Sequence, residues 1–180
     1  RSCTLLTEVV FEANSRVTDL GAQAFKGCSR LTKIALPASL AVIGANAFEN
    51  TKLSSVTFAE NGKLTEIGAS AFTKLPLAAL KFPASLETIG ESAFYQNKSL
   101  TSVEFAADGA DLTLGDYAFQ GCEKIESMSI PENVVGIGEG VFIDCKKLAS
   151  VTVDENNQYF VTNDGVLFDK GYTRLLFYPA

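Results

Sequence analysis

Residues 31–48 read LTKIALPASLAVIGANAF, and both halves of this stretch recur along the chain. The first half has apolar residues spaced by three and then two positions, followed by a small polar residue: Leu31, Ile34, Leu36 and Ser39. The second half ends in the pairs Ile43-Gly44 and Ala47-Phe48. Self-similarity with a period of about 20–50 residues is the signature of a stacked repeat protein. The sequence therefore predicts a solenoid.

The second half of the repeat predicts a column of aromatic rings. Each of its phenylalanines lies four residues after a glycine, and that glycine follows an aliphatic residue. The phenylalanines recur at nearly even intervals, once in each turn: Phe25, Phe48, Phe72, Phe94, Phe119 and Phe142. Since the turns stack, we expect the six rings to form one buried column. We expect the glycines to mark tight bends or sites of positive φ.

The first half of the repeat predicts a short strand, because an apolar residue at every second position buries one face of a strand. Seven copies are in phase, so we expect seven strands in one parallel sheet. They cover residues 9–11, 34–36, 56–58, 80–82, 103–105, 128–130 and 151–153. The small polar residue after each strand is expected to satisfy backbone groups where the chain turns away.

The connection that follows each strand alternates in length. From the small polar residue to the aliphatic residue before glycine, the spacing is 6, 4, 6, 4, 6 and 4 residues. The short connections carry Pro37, Pro83 and Pro131 directly after the strand. Proline ends a strand because it cannot donate to the ladder. We therefore predict a structural unit of two turns, with a longer loop on every second one.

The C-terminal residues 157–180 break the repeat. Residues 160–162 and 166–168 flank Asn163-Asp164-Gly165, which is typical of a tight hairpin. A third strand is predicted over residues 174–178. This segment predicts a small antiparallel sheet rather than another turn.

The aromatic content of this segment suits a cap. Six of the 18 aromatic residues lie between Tyr159 and Tyr178. Repeat arrays need caps because their terminal faces are otherwise apolar. We thus predict one leucine-rich-repeat domain over residues 1–180: a right-handed β/irregular solenoid of seven turns over 1–156, closed by a hairpin module over 157–180.

The first turn lacks its first half, since Cys3 stands where an Ile-Gly and an Ala-Phe should already have passed. Leu5, Leu6, Val9 and Phe11 would then expose an apolar edge. We expect a longer natural sequence to supply further turns or a cap upstream.

Composition argues against several classes of function. The net charge is −6 with no basic cluster, whereas a nucleic-acid binder needs a basic face to displace counterions. No apolar run approaches the ~18 residues of a membrane span, so we expect no direct membrane insertion. Histidine, the commonest general base and metal ligand, is absent. We therefore expect no enzyme activity, no cofactor and no metal.

The repeats resemble a known family. Residues 31–37, 39–48 and 142–153 are similar to the BspA-like (treponemal-class) leucine-rich repeat proteins, and the tail 156–179 is similar to a module that family contains. The resemblance implies a secreted or surface-attached protein of host-associated anaerobic bacteria or of some parasitic protists. It implies adhesion to host matrix proteins or to other cells. The family has no shared catalytic or metal-binding residues to carry over.

The four cysteines occupy equivalent positions, three residues after the phenylalanine position of their turns: Cys3, Cys28, Cys122 and Cys145. Neighbouring turns lie ~5 Å apart, so the pairs Cys3–Cys28 and Cys122–Cys145 are within disulfide reach. The alternative is that the thiols serve as small core residues. We expect the second arrangement, with all four reduced, buried and inert.

Two surfaces are candidates for binding a partner. On the strands, the long side chains among many small ones are Lys33, Lys81 and Glu104. On the other side, Tyr95, Tyr117 and Ile143 stand in adjacent turns where polar residues are expected. Isolated exposed apolar residues are also common without any function.

The most economical function is a monomeric, extracellular or cell-surface protein-binding module of the adhesin type, with a host protein or a glycan as partner. Two other functions stay open: a spacer with no recognition of its own, and a carbohydrate-binding surface. A partner screen would separate the three.

Overall fold

The structure is a computed structural model that describes residues 3–179, and its regular elements there are all strands. In chain order they are β1 (Asp19–Leu20), β2 (Lys33–Ala35), β3 (Val42–Ile43), β4 (Ser55–Thr57), β5 (Glu66–Ile67), β6 (Ala79–Lys81), β7 (Thr88–Ile89), β8 (Ser102–Glu104), β9 (Leu112–Leu114), β10 (Ser127–Ile130), β11 (Val134–Ile137), β12 (Ser150–Val153), β13 (Phe160–Asn163), β14 (Val166–Asp169) and β15 (Leu175–Phe177). The repeats stack as a β-solenoid with parallel sheets, as the sequence predicts.

The longest sheet is built from the residues that precede the repeated glycines. Six strands follow one another in parallel, in the order β1-β3-β5-β7-β9-β11. In register, Leu20 pairs with Ile43, and Ile43 pairs with Ile67. No strand was predicted for this segment. Its aliphatic residues form the most continuous ladder of the solenoid.

The glycines of this ladder allow close approach of the backbones rather than positive φ. None of them is among the glycines with positive φ. A Cβ on Gly68 would lie 2.7 Å from the Ala45 backbone nitrogen, and one on Gly115 would lie 2.8 Å from that of Glu91. Side-chain carbons do not approach a backbone nitrogen that closely. Glycine is therefore needed because each turn rests directly on the previous one.

Gly68→Ala is expected to destabilise the fold by about 1–3 kcal/mol, the usual cost of forcing extra atoms into a packed site. Gly21→Ala is a matched control at the same place in the repeat, because a Cβ there meets nothing within 4 Å. It should be neutral or slightly stabilising, since alanine has less backbone freedom in the unfolded chain. Urea unfolding measures both variants. Equal midpoints would show that the glycines have another purpose.

The predicted seven-stranded sheet was wrong in its continuity. Six of the seven segments form strands, but they hydrogen-bond as three separate pairs, β2-β4, β6-β8 and β10-β12. Within each pair a short connection follows the first strand, and the two strands then align directly, as Lys33 does with Ser55. From one pair to the next a long connection intervenes, and its additional residues interrupt the ladder. Residues 9–11 form no strand.

The stacking of the aromatic column is confirmed for five of its six members, of which Phe25 is half-buried and the other four are buried. Phe25, Phe48, Phe72, Phe94 and Phe119 stack in sequence, with ring centroids 4.8 to 5.4 Å apart. Phe142 is also buried, but its ring packs edge-on against Phe177 of the C-terminal sheet, at 5.7 Å. A second column, Phe58, Phe82 and Phe105, follows the strands and contacts the first edge-on.

The small polar residue after the strand has its expected partner in the short connections. It donates a hydrogen bond to a carbonyl of the previous turn, and the three bonds, each 2.8 Å, run from Ser39 Oγ to Val17 O, from Ser85 Oγ to Leu64 O and from Asn133 Nδ2 to Ala110 O. These bonds tie each short connection to the long one before it.

The C-terminal segment folds as predicted. β13, β14 and β15 form an antiparallel sheet, and Asp164 and Gly165 turn the hairpin with φ values of 48° and 79°. Positive φ at both central residues is the geometry of a type I′ turn. Leu167 is fully buried against the last turns. The sheet therefore contributes side chains to the solenoid core.

Three of the cysteines are buried thiols, as expected. The Cys122 thiol donates to Phe94 O and the Cys145 thiol donates to Phe119 O, both at 3.3 Å. Cys28 is likewise buried and free. Cys3 is exposed, which contradicts its expected burial.

The buried thiols are expected to be slow nucleophiles. Burial raises the pKa of the Cys145 thiol to about 11, and burial also raises the pKa of Cys122. Because the thiolate is the reactive form, and only about one Cys145 thiol in a thousand is ionised at pH 8, its reaction would be slow even if it were accessible. At that pH, Cys28, Cys122 and Cys145 should react with a thiol reagent at least ~100-fold more slowly in native than in denatured protein. Their failure to react after denaturation without reductant would indicate disulfides instead.

Candidate binding surfaces

The exposed side chains of β2, β4, β6, β8, β10 and β12 form one side of the solenoid, the strand face. A groove of about 870 Å³ crosses its middle, over β4, β6 and β8, and we call it the central groove. Lys81 and Glu104 both line it and are partners in the parallel register. Lys33 lies in a smaller hollow, of about 310 Å³, beside residues 8–11. The structure thus brings two of the three predicted strand-face residues together.

The alternation of loop lengths builds the walls of the central groove. Residues 59–61 of one long connection form one wall, and Ala106 and Asp108 of the next form the other. Between them lies the short connection that begins with Pro83. A short turn between two long ones leaves a depression. The groove follows from the two-turn unit that the sequence predicts.

The floor of the central groove consists of small side chains. Ser55, Thr57, Ala79 and Ser102 are all exposed there. Phe105 is half-buried at the edge, whereas the exposed fraction of Phe82, the next ring of its column, is 3%. A shallow floor with one accessible ring suits a main chain lying across it.

The charges around the central groove are mostly negative. Glu60, Glu104 and Asp108 line it together with one basic residue, Lys81. The Lys81 ammonium lies 3.8 Å from a Glu60 carboxylate oxygen, and both side chains are largely exposed. Such a pair contributes little because water screens it. Three acids and one base leave the groove with a net negative charge.

The other candidate surface follows the column of phenylalanines. In each turn, the residue two before the phenylalanine and the residue two after it have positive φ, between 54° and 74°. The first set is Gln23, Asn46, Ser70, Ser92, Tyr117 and Gly140, and the second is Gly27, Asn50, Lys74, Gln96, Gly121 and Asp144. Sequence reasoning missed these positions because no single residue type recurs. The partial signal was their enrichment in glycine and asparagine.

Tyr117 is therefore a tyrosine in a backbone conformation that bulky residues rarely adopt. Its ring lies against Gly140 of the next turn: a Cβ there would be 2.5 Å from the Tyr117 Cε1 and 2.9 Å from the Ile143 Cδ1. Tyr117 and Ile143 thus lie on either side of one glycine. Tyr117 is half-buried and Ile143 is exposed.

Tyr95 lies one turn earlier on the same side. Its hydroxyl accepts a hydrogen bond from Gln96 Nε2 at 3.0 Å, and the Lys74 ammonium lies 5.8 Å from its ring centroid. Gln96 in turn contacts Gly121, where a Cβ would be 3.0 Å from the Gln96 Cγ. The three predicted residues lie in successive turns, and the structure brings Tyr117 and Ile143 together at Gly140.

A network of ion pairs that the sequence did not reveal crosses three successive turns. Glu123 binds Lys98 at 2.8 Å and Lys146 at 3.1 Å. The hydrogen bond from Lys98, and then that from Lys146, lower the pKa of Glu123, and the same bond raises the pKa of Lys98. The two ammonium groups already hold a carboxylate, so this edge is a poor site for an added anion.

Within residues 3–179, no group of three or more histidine, cysteine, aspartate or glutamate residues is arranged to hold a metal ion. No helix in the described part of the chain has the length and apolar character needed to cross a membrane.

Comparison with known proteins identifies the repeats. The sequence profile of the BspA type leucine rich repeat region matches residues 1–112 and 43–164, with six copies. No curated protein matches the chain.

Solved structures show the same fold. The pneumococcal vaccine antigen PcpA is 32% identical over 91% of this chain and 42% of its own, with a TM-score of 0.83. A leucine-rich repeat protein from Eubacterium ventriosum is 28% identical over 93% of this chain and 37% of its own, with a TM-score of 0.60. The T. pallidum leucine rich repeat protein is 28% identical over 77% of this chain and 53% of its own, with a TM-score of 0.50. The chain therefore spans about half or less of the length of these relatives.

Proposed function

The chain belongs to the BspA-type leucine-rich repeat family, and from that premise we propose that it is a protein-binding module that acts outside the cell or on its surface. The likeness to PcpA carries the proposal, because it extends over 91% of the chain and that protein is a vaccine antigen. Antibodies must be able to reach and bind a vaccine antigen, which supports an accessible location for this chain too. Adhesion to a host protein or another cell is the role we propose for the binding.

Binding rather than catalysis is supported by the kind of surface the solenoid offers. Each turn is fixed by its neighbours, so the strand face is broad and nearly rigid. Its central side chains are small or singly charged, and a catalytic site needs convergent acid, base or nucleophile groups in a pocket. We further propose that residues 1–156 and the module 157–180 form one monomeric domain.

A screen for partners tests this function. The chain, immobilised by one terminus, is exposed to an array of host extracellular-matrix proteins and glycans, and hits are measured by biolayer interferometry. Saturable binding to a protein is the expected result. Binding to glycans alone would replace the proposal with carbohydrate recognition. No partner at all would favour a spacer that holds another domain away from the cell.

The second candidate surface, which follows the column of phenylalanines, is tested by changing both Tyr95 and Tyr117 to serine. Serine suits the Tyr117 backbone, because Ser70 and Ser92 adopt the same positive φ in equivalent turns. We expect weaker binding to a partner found in the screen, with the melting temperature lowered by no more than a few degrees, because truncating half-buried aromatic side chains at the surface weakens an interface more than a fold. Unchanged affinity would exclude this surface, Ile143 included, from the binding site.

A further inference from the structure

We propose that the central groove binds an extended, basic segment of a partner protein, one that carries arginine or lysine two positions from an apolar residue. This inference rests on the proposed function and names the site and the partner chemistry. It begins from the shape of the groove. Two long connections stand on either side of a short one, and the depression between them crosses three strands.

The floor favours an extended chain over a folded element. Its exposed side chains are Ser55, Thr57, Ala79 and Ser102, which are all small. A main chain can therefore lie close to the strands without displacing large groups. Side chains at alternate positions of an extended chain point to the same side, so those that face the floor would supply the specificity.

The charges select a basic occupant. Glu104 and Asp108 line the groove, and neither is within 4.0 Å of a lysine or arginine nitrogen in the described part of the chain. Lys81, the one lining cation, is held only by the exposed Glu60. A guanidinium can bind carboxylates with two parallel hydrogen bonds, which makes arginine the better match.

One apolar contact is also available. Phe105 is half-buried at the groove edge, whereas Phe58 and Phe82 of the same column are buried. It follows Glu104 directly in the chain. An apolar side chain on this ring would lie beside a basic side chain on the acids. Since side chains two positions apart point to the same side of an extended chain, the proposed segment has its basic and apolar residues two positions apart.

The test uses the full chain and a fluorescein-labelled seven-residue peptide in which arginine and valine take turns at every second position, with serine between them, measured by fluorescence anisotropy. Saturable binding is expected at 20 mM NaCl, and it should weaken at 300 mM because salt screens exposed charges. A peptide with glutamate in place of arginine should not bind. Equal binding of the two peptides, or no saturable binding of the arginine peptide, would overturn the inference.

Charge variants identify the acids that matter. Changing Glu104 and Asp108 together to glutamine and asparagine should weaken binding about fivefold to tenfold, given the modest strength of exposed pairs. Changing Glu87 and Glu91 to glutamine removes the same amount of charge from outside the groove and should lower the affinity for the peptide by less than twofold. Lys81→Ala should tighten binding, because it removes the competing cation. If both double variants lose the same amount of affinity for the peptide, its binding depends only on the overall charge of the chain and the inference fails.

A steric pair tests the floor without changing charge. Ser102→Trp fills the central groove, and Ser150→Trp places the same ring at the equivalent position of β12, outside it. The first should lower affinity at least tenfold and the second should not, with both melting curves recorded. An equal loss of peptide affinity in the two variants would argue against the central groove as the binding site. If a protein from the partner screen binds wild type and Ser102→Trp equally, the groove inference fails while the proposed function stands.

Discussion

Replacing Phe72 by alanine is expected to lower the free energy of unfolding by about 3–5 kcal/mol, the range for truncating a fully buried phenylalanine. Phe72 is inaccessible to solvent and lies in the middle of the stacked column. Its ring contacts Phe48 at 4.8 Å, Phe94 at 5.3 Å and, edge-on, Phe58 at 6.2 Å. Alanine would remove contacts in both aromatic columns and leave a cavity that rigid stacked turns cannot close.

Phe25→Ala serves as the control for position in the column. Phe25 has the same place in its turn, but it is half-buried and stacks on one ring only, that of Phe48. Phe25→Ala should lower the free energy of unfolding by less than half as much as Phe72→Ala does, as measured by urea unfolding with two optical probes. A loss under ~1 kcal/mol for Phe72→Ala would mean that the column does not carry the stability assigned to it.

The repeat, the phenylalanine column and the terminal hairpin could all be predicted because each has a strong local signal. Phe72 and its equivalents recur in phase, and Asn163-Asp164-Gly165 specifies its turn by residue type alone. The six-stranded sheet could not be predicted, because most of its strands are two residues long, which is too short to show any periodicity. The prediction of positive φ at its glycines was wrong for a related reason. A glycine signals either positive φ or close approach, and only the stacked neighbour, such as Ala45 against Gly68, distinguishes the two.

The candidate sites were predictable in part. The alternating loop lengths gave the long connections, and Lys81 and Glu104 were identified as the long side chains between them. That they line one groove depends on the register of β6 with β8, which a single sequence does not display. The left-handed backbone at Tyr117 was invisible because its equivalents are glutamine, asparagine, serine and glycine.

Replacing Asn157 by alanine is expected to destabilise the junction between the solenoid and the C-terminal sheet by about 3 kcal/mol or more, because buried groups would lose their hydrogen-bond partners. The Asn157 side chain is fully buried and bonds in two directions. Its Nδ2 donates to Pro131 O at 2.8 Å and to Val134 O at 3.0 Å, on the last short connection. Its Oδ1 accepts from the backbone N–H groups of Tyr159 and Phe160, both at 2.8 Å, at the start of the sheet.

Asn156→Ala is the matched control for this junction, because the same residue type is exposed one position earlier and its side chain makes no hydrogen bond in the described residues. A surface substitution of this kind should change stability by no more than ~0.5 kcal/mol. Hydrogen exchange gives a second readout. In the Asn157 variant, amides of β13, β14 and β15 should lose protection before those of β3, β5 and β7, because the sheet is released while the stacked turns persist. Equal stability of the two variants, or uniform loss of protection along the chain, would show that the sheet is held by its apolar contacts alone, Phe177 on Phe142 first among them.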